Sequence, residues 1–166
     1  MEFELHALPS EEQERVARFI EEHWGSRIVV GHGVVYEPHR LPGFAARLGD
    51  EMIGLVTYHV DGDACEIVTI DSRRPQIGVG GALLRAVARA ARQAGCRRLW
   101  LITTNDNLDA LRFYQRRGMR LVRVTPGAID ESRKIKPDIP LVGDFGIEIH
   151  DELTLEMRLP RAKPHH

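Results

Sequence analysis

The stretch from Cys65 to Met119 constrains the fold of this 166-residue chain more than any other part, because strand and helix patterns alternate in it with short connections. It opens with the β-branched run CEIVTIDS at residues 65–72, which predicts a strand. The residues that follow, RRPQIGVGG at 73–81, carry three glycines that let the main chain come close to a ligand. The glycine turn is therefore a candidate ligand site at the start of a helix.

Two helices and a strand are predicted after the glycines. A helix over residues 79–94 is indicated by apolar residues that recur at helical spacing around Leu84, and Gly95 ends it. The run RLWLITT at 98–104 predicts a strand whose apolar composition indicates burial on both faces. Polar capping residues then begin a second helix, predicted over 105–118.

The first turn of the helix after the glycines is predicted to hold an anion. Its free N–H groups and the positive end of the helix dipole suit a phosphate or pyrophosphate. The dinucleotide fingerprint G-x-G-x-x-G is not met, because Leu83 stands at the third glycine position. A Rossmann fold is therefore disfavoured, and a tight strand-to-helix turn without a ligand is the other interpretation.

Two motifs in this stretch resemble those of one enzyme superfamily. IGVGGALL at residues 77–84 resembles motif A of the GNAT N-acetyltransferases, and Asn107-x-x-Ala110-x-x-Phe113-Tyr114 before Gly118-Met119 resembles their motif B. The family pattern begins with Arg or Gln three residues before the first glycine, and Pro75 stands there in this chain. Arg73, Arg74 or Gln76 could supply the side-chain contact instead, whereas main-chain donors do not depend on it.

The resemblance implies a GNAT fold of the mixed α/β (α+β) class. Its central sheet is mostly antiparallel, with a splayed parallel strand pair, here 65–72 and 98–104, and helices on both faces. It also implies acetyl-CoA or another acyl-CoA as donor substrate, an amine as acceptor, and no metal. The residues that would contact the cofactor are Ile70, Asp71, Ser72, Gln76, Ile77, Gly78, Val79, Gly80, Gly81, Ala82, Asn107, Ala110 and Tyr114.

Three side chains carry the chemistry that the resemblance implies. The phenol of Tyr114 would protonate the departing CoA thiolate, or else it is a core residue beside Phe113. Asn107 would bind the cofactor or a water on it, or else it only caps its helix. Glu66 would take the proton of the acceptor amine through water, or else it faces an edge in a salt bridge.

The function expected from these residues is transfer of an acyl group, in the first place acetyl, to a primary amine of a small molecule or peptide. Direct attack in a ternary complex is favoured, because the sequence shows no motif for a covalent nucleophile. The alternative is an acyl-CoA-binding sensor or partner module without catalysis. A pure protein-interaction domain is a third interpretation, which would leave the glycine turn without a ligand.

Composition limits the remaining classes. The length suits a single domain over residues 1–160 with a polar tail at 161–166. Lys plus Arg total 23 against 24 Asp plus Glu, so no basic field points to nucleic acid. No long apolar run predicts a membrane span and no signal peptide is evident, so we expect a cytoplasmic protein.

Cys65 and Cys96 match no metal-ligand spacing and are expected to be buried thiols. The oligomeric state is open and compatible with a homodimer.

The flanking segments are predicted to complete the sheet. Strand patterns cover residues 2–8, a hairpin around Gly49-Asp50, 119–125 and 151–159. Ser10 and Gln13 have the spacing of a capping box that opens a helix ending near Trp24-Gly25. Trp24 and Trp100 are expected in the core.

Two irregular segments are expected to shape the acceptor pocket. Residues 26–43 are predicted as a loop with short extended pieces, and 126–150 as a long connection such as a lid. Acidic residues in both are compatible with a cationic amine, and His32 and His59 are weaker candidates for the base. Three arginines lie on one face of the helix predicted over 79–94: Arg85, Arg89 and Arg92. We interpret them as a solvent-exposed stripe rather than as contacts to nucleic acid or to the CoA 3′-phosphate.

Overall fold

The computed structural model describes residues 2–73 and 77–161. Within these ranges no helix is long and apolar enough to cross a membrane. Four helices lie in the described ranges: α1 (Gln13–Trp24), α2 (Val79–Gln93), α3 (Leu108–Arg116) and α4 (Ala128–Ile135). The strands described there are β1 (Glu4–Ala7), β2 (Val29–Gly31), β3 (Val34–Tyr36), β4 (Gly43–Leu48), β5 (Glu51–Asp61), β6 (Ala64–Ser72), β7 (Arg98–Thr104), β8 (Arg120–Thr125) and β9 (Glu152–Arg158).

The main sheet has seven strands in the order β1-β4-β5-β6-β7-β9-β8, and β2 and β3 form a separate pair. Neighbours β1/β4, β4/β5, β5/β6 and β8/β9 are antiparallel. Strands β6 and β7 form the parallel pair. A mostly antiparallel sheet with one parallel pair is the arrangement expected from the sequence, and the fold prediction is confirmed.

The chain divides into two compact units. The first unit contains the described residues of 1–29, 37–99 and 158–166, and the second those of 30–36 and 100–157. The expectation of a single domain over 1–160 stays a prediction. Each unit is built around its own part of the sheet.

In the first unit, helices cover both faces of the sheet. Residues of α1 pack against β4 and β5; the cluster consists of Val16, Phe19, Ile20, Ala45, Met52 and Leu55. Ala45 pairs with Leu55 across the two strands, and the next pair along is Ala46 with Gly54. Because successive residues of a strand point to opposite faces, Gly54 faces away from α1.

Helix α2 lies against this second face. A Cβ added to Gly54 would come within 2.4 Å of Val79 Cγ1 and 3.1 Å of Leu83 Cδ1. Val79 and Leu83 are themselves fully buried. The missing side chain at Gly54 therefore lets the first turn of α2 lie directly on β5.

Of the five β7 residues in the second unit, 100–104, only Leu101 is well buried. Leu101 is 3% exposed, whereas Trp100 and Ile102 are partly exposed. Burial of this strand on both faces was predicted and is wrong for these residues. The hairpin of β2 and β3 lies on the Ile102 side, since a Cβ on Gly31 would meet Ile102 Cδ1 at 2.4 Å.

Three further expectations differ from the structure. Trp24 is 40% exposed instead of buried in the core. The capping box at Ser10 does not form, because Glu12 precedes α1 and no side chain caps that helix. The segment 126–150 is not an irregular loop, since it contains α4. The extended pieces expected within 26–43 are present as the β2–β3 hairpin.

Replacing Gly54 with alanine should destabilise the protein by about 1–3 kcal/mol, because the added methyl overlaps Val79. Urea unfolding followed by circular dichroism measures the change. The double variant Gly54→Ala/Val79→Ala removes the overlapping methyl and should be more stable than the sum of the two single changes predicts. Strict additivity would contradict a direct contact between the two positions.

Candidate active site

The glycine turn that begins α2 has the geometry of an anion site. Gly78 precedes the helix with φ 83°, in the left-handed region that favours glycine, and no side chain caps this end. The N–H of Ala82 donates to the carbonyl of Gly78 at 3.1 Å. Helix geometry leaves the N–H groups of Val79, Gly80 and Gly81 without such a partner. These three donors and the helix dipole can stabilise a phosphate.

Strand β6 leads directly into this turn. Its last residues pair with β5, Val56 with Ile70, Leu55 with Asp71 and Gly54 with Ser72. The N–H of Arg73 continues this pairing with the carbonyl of Ile53 at 2.8 Å. The main chain up to residue 73 is thus held by the sheet. Ile77 follows the undescribed residues 74–76 and is partly exposed.

The side chain of Asp71 is engaged within the first unit. Trp24 Nε1 donates to Asp71 Oδ2 at 2.8 Å, which also explains why this indole lies at the surface. Burial raises the pKa of Asp71, and the hydrogen bond from Trp24 opposes that shift. A cofactor contact by Asp71 would therefore use its main chain.

The side chain that replaces the family arginine or glutamine stays a prediction. Gln76 and Arg74 lie outside the described residues, as does Pro75. The guanidinium of Arg73 lies 4.9 Å from the centroid of the Phe19 ring and forms an ion pair with Glu22. Arg73 is thus held against α1, and its side chain has partners without a ligand.

Glu66 lies in the middle of β6 and is only 4% exposed. It is opposite His59 in the pairing with β5, and its neighbours Cys65 and Ile67 are buried too. An exposed edge position, one of the two interpretations from the sequence, does not fit this burial. Burial first, then the charges of Cys96 and Glu66, raise the pKa of the Cys65 thiol to about 12. Both cysteines are buried free thiols, as expected.

In the second unit, Asn107 caps α3. Its Oδ1 accepts from the N–H of Ala110 at 3.2 Å, and its Nδ2 donates to Thr103 Oγ1 at 3.2 Å. The structure therefore shows the helix cap, and the N–H of Ala110 is used by the same contact. Direct binding of the cofactor by Asn107 and Ala110 stays a prediction.

Tyr114 lies on α3 and is 7% exposed. Its ring meets that of Phe113 edge to face, with 5.1 Å between the ring centroids. The Tyr114 carbonyl accepts from the N–H groups of Arg117 and Met119, which fixes the main chain at the end of the helix. Burial of the ring agrees with both interpretations of this residue, a core tyrosine and a general acid in a dry site.

Two polar residues that precede Asn107 were not singled out from the sequence. Asp106 is 5% exposed; its Oδ1 accepts from the Thr104 hydroxyl, and its Oδ2 accepts from the N–H of Asp144 at 2.9 Å. Asn105 Oδ1 accepts from the N–H groups of His150 and Asp151 at 3.0 Å each. Together they hold the end of the 126–150 segment to the connection between β7 and α3. The polar triplet Asn-Asp-Asn after a strand was the available signal.

Glu152 at the start of β9 is the third residue that sequence reasoning missed. It is 4% exposed, and its Oε2 accepts from the N–H of His32 at 3.1 Å. The sequence pattern DELTLEMRL drew attention only to its alternating apolar residues. No signal in the pattern distinguished this glutamate from Glu156 on the same strand.

Comparison with known proteins gives a match to a family model and two similar relatives. Residues 3–119 match the model of the acetyltransferase (GNAT) family. Two uncharacterised proteins of Bacillus subtilis strain 168 are each 43% identical: YdhI over 136 residues (81% of this chain, 85% of YdhI) and YxbD over 145 residues (87% of this chain, 91% of YxbD).

Solved structures share the fold at lower identity. An IAA acetyltransferase from Bacillus cereus is 20% identical with a TM-score of 0.70, over 95% of this chain and 100% of that one. A GNAT family acetyltransferase from Elizabethkingia anophelis with acetyl-CoA bound is 19% identical with a TM-score of 0.67, over 95% and 98%. At such identity the likeness concerns the fold.

Proposed function

Because this chain belongs to the GNAT acetyltransferase family, we propose that it transfers an acyl group, in the first place acetyl, from acyl-CoA to a primary amine of a small molecule or peptide. The observation that carries the proposal is the uncapped start of α2 behind a left-handed Gly78. Such a start offers several main-chain donors to a pyrophosphate without any charged side chain. Membership of the GNAT acetyltransferase family suggests acetyl-CoA as the donor substrate, with its pyrophosphate bound at this glycine turn.

The proposed reaction is direct attack in a ternary complex. The amine nitrogen forms a bond to the thioester carbonyl carbon, the carbon–sulfur bond breaks, and CoA leaves as a thiolate. Glu66 takes a proton from the ammonium form of the acceptor through water before attack, and Tyr114 gives a proton to the thiolate. The second proton, which the nitrogen loses as the amide forms, restores the Tyr114 phenol through solvent. The burial of Glu66 supports its role as a base, and the burial of Tyr114 is compatible with its role as a general acid.

The CoA-binding site at the glycine turn and the acetyltransferase activity can be tested together. A panel of amines is incubated with acetyl-CoA, and release of the CoA thiol is measured. Gly80→Asp puts a side chain and a negative charge among the N–H donors, so CoA affinity should fall about tenfold or more. Gly62→Asp adds the same side chain in an exposed turn, at a φ of 62° that aspartate tolerates better than most residues, and this control should bind CoA normally.

Each outcome of this experiment separates one interpretation from the others. CoA binding without turnover of any amine would favour the sensor module over the enzyme. Absence of CoA binding in the unaltered protein would favour a protein-interaction domain. Unchanged CoA affinity in a folded Gly80→Asp variant would refute binding of the pyrophosphate at the glycine turn.

Tyr114→Phe tests the general acid, since it keeps the ring packed on Phe113 and removes only the hydroxyl. The expected loss in kcat is ~10²-fold or more, with CoA affinity retained. Steady-state kinetics and calorimetry measure the two quantities. A kcat within a few-fold of the unaltered enzyme would leave Tyr114 as a core residue.

Glu66→Gln tests the base, because glutamine preserves size and hydrogen bonding but not basicity. We expect kcat/KM for an amine at neutral pH to fall by ~10²-fold or more, while acetyl-CoA affinity stays the same. The acidic limb of the pH–rate profile should also move or vanish. A profile that is unchanged would transfer the role to another group, such as a histidine or a bound water.

A further inference from the structure

The tip of the β2–β3 hairpin in the second unit brings rings and a carboxylate together. His32 and Gly33 form its two-residue turn, with φ values of 41° and 80°, and both signs suit the tight turn that joins twisted antiparallel strands. The His32 ring lies 5.2 Å from that of Trp100 and 6.1 Å from that of Tyr36, measured between centroids. The main-chain N–H of the same histidine contacts Glu152.

Glu152 is a charged group in an unusual setting. It is 96% buried, and within residues 2–73 and 77–161 its carboxylate accepts from the neutral main-chain N–H of His32. In those ranges no lysine, arginine or histidine side chain forms an ion pair with it. A buried carboxylate without a cation is costly, and the cost is removed when a positive charge binds beside it.

The rings next to the residue that contacts this carboxylate suit an organic cation. Aromatic faces attract ammonium groups, tryptophan most strongly, and they also cover the apolar substituent that an alkyl ammonium carries. Gly31 permits the hairpin to lie directly on Ile102, which adds an apolar wall on the same side of β7 as Trp100. Among the residues that the structure describes, no group of three or more His, Cys, Asp or Glu side chains could hold a metal ion, so an inorganic cation is not favoured here.

From these contacts we infer that Glu152, together with the rings of His32, Tyr36 and Trp100, binds the ammonium group of an amine that carries an apolar or aromatic substituent. This inference rests on the proposed transfer to an amine and specifies its acceptor. The carboxylate recognises the charge, and the rings recognise the substituent. His32 contributes its main-chain N–H, which fixes the orientation of Glu152.

The test compares two ligands of nearly equal shape without acetyl-CoA, so that no reaction occurs. Benzylammonium carries the charge, and benzyl alcohol is its neutral counterpart. Calorimetry should show benzylammonium binding about tenfold or more tightly than benzyl alcohol to the unaltered protein. Glu152→Gln retains an oxygen for the His32 N–H and removes the charge, so this preference should disappear.

Matched variants separate recognition from folding. Glu148→Gln makes the same charge change at an exposed position of the second unit and should keep the preference. Trp100→Leu keeps an apolar side chain without the ring and should weaken benzylammonium several-fold more than benzyl alcohol. The inference is overturned if the unaltered protein shows no preference, or if Glu152→Gln retains it.

The outcome is independent of turnover. If the protein prefers benzylammonium through Glu152 but acetylates no amine, the cation site is supported and the proposed acetyl transfer is refuted. If the protein acetylates amines but its Glu152→Gln variant still prefers benzylammonium, the acetyl transfer is supported and this acceptor site is refuted. In an active enzyme, KM for benzylamine should rise in Glu152→Gln by about tenfold or more, with CoA affinity unchanged.

Discussion

The contact between Gly54 and the first turn of α2 is the constraint on which the first unit depends. A side chain at residue 54 would overlap Val79, so the helix start and strand β5 can approach only through the glycine. The same helix turn carries Gly78 and the main-chain donors that follow it. Packing of α2 against β5 in the core therefore fixes where these donors lie in the first unit. Because packing positions these donors before a ligand binds, an anion can bind there without a large loss of chain entropy.

The second unit is organised by polar contacts. Asn105 and Asp106 place amide and carboxylate oxygens on the N–H groups of Asp144, His150 and Asp151. The Asp106 carboxylate is 5% exposed, so breaking its contact with the N–H of Asp144 would leave a largely buried charge without that donor. The segment that leads from α4 to β9 thus ends at a fixed point beside the start of α3. Its conformation and the cap by Asn107 depend on one short stretch of sequence.

Periodicity predicted most of the fold, because helices and strands bury one side each and that pattern is local. The boundaries of α2 and β6 agree with the sequence within a residue or two. Trp24 was misplaced because its partner Asp71 lies 47 positions away, and no local pattern reports such a bond. Glu152 was missed for the same reason, since its setting is created by a hairpin tip 120 positions earlier in the chain. Charge burial is a tertiary property that composition does not reveal.

The two cysteines have a practical consequence for enzymology. Cys65 is fully buried with a pKa raised to about 12, and burial likewise raises the pKa of Cys96. Disulfide reagents react with thiolates that they can reach, so neither side chain in the folded protein reacts readily at neutral pH. A colorimetric thiol reagent added during catalysis would therefore report free CoA over a low background. The same reagent would react with these cysteines once the protein unfolds, so the rate of their reaction would measure how often the core opens.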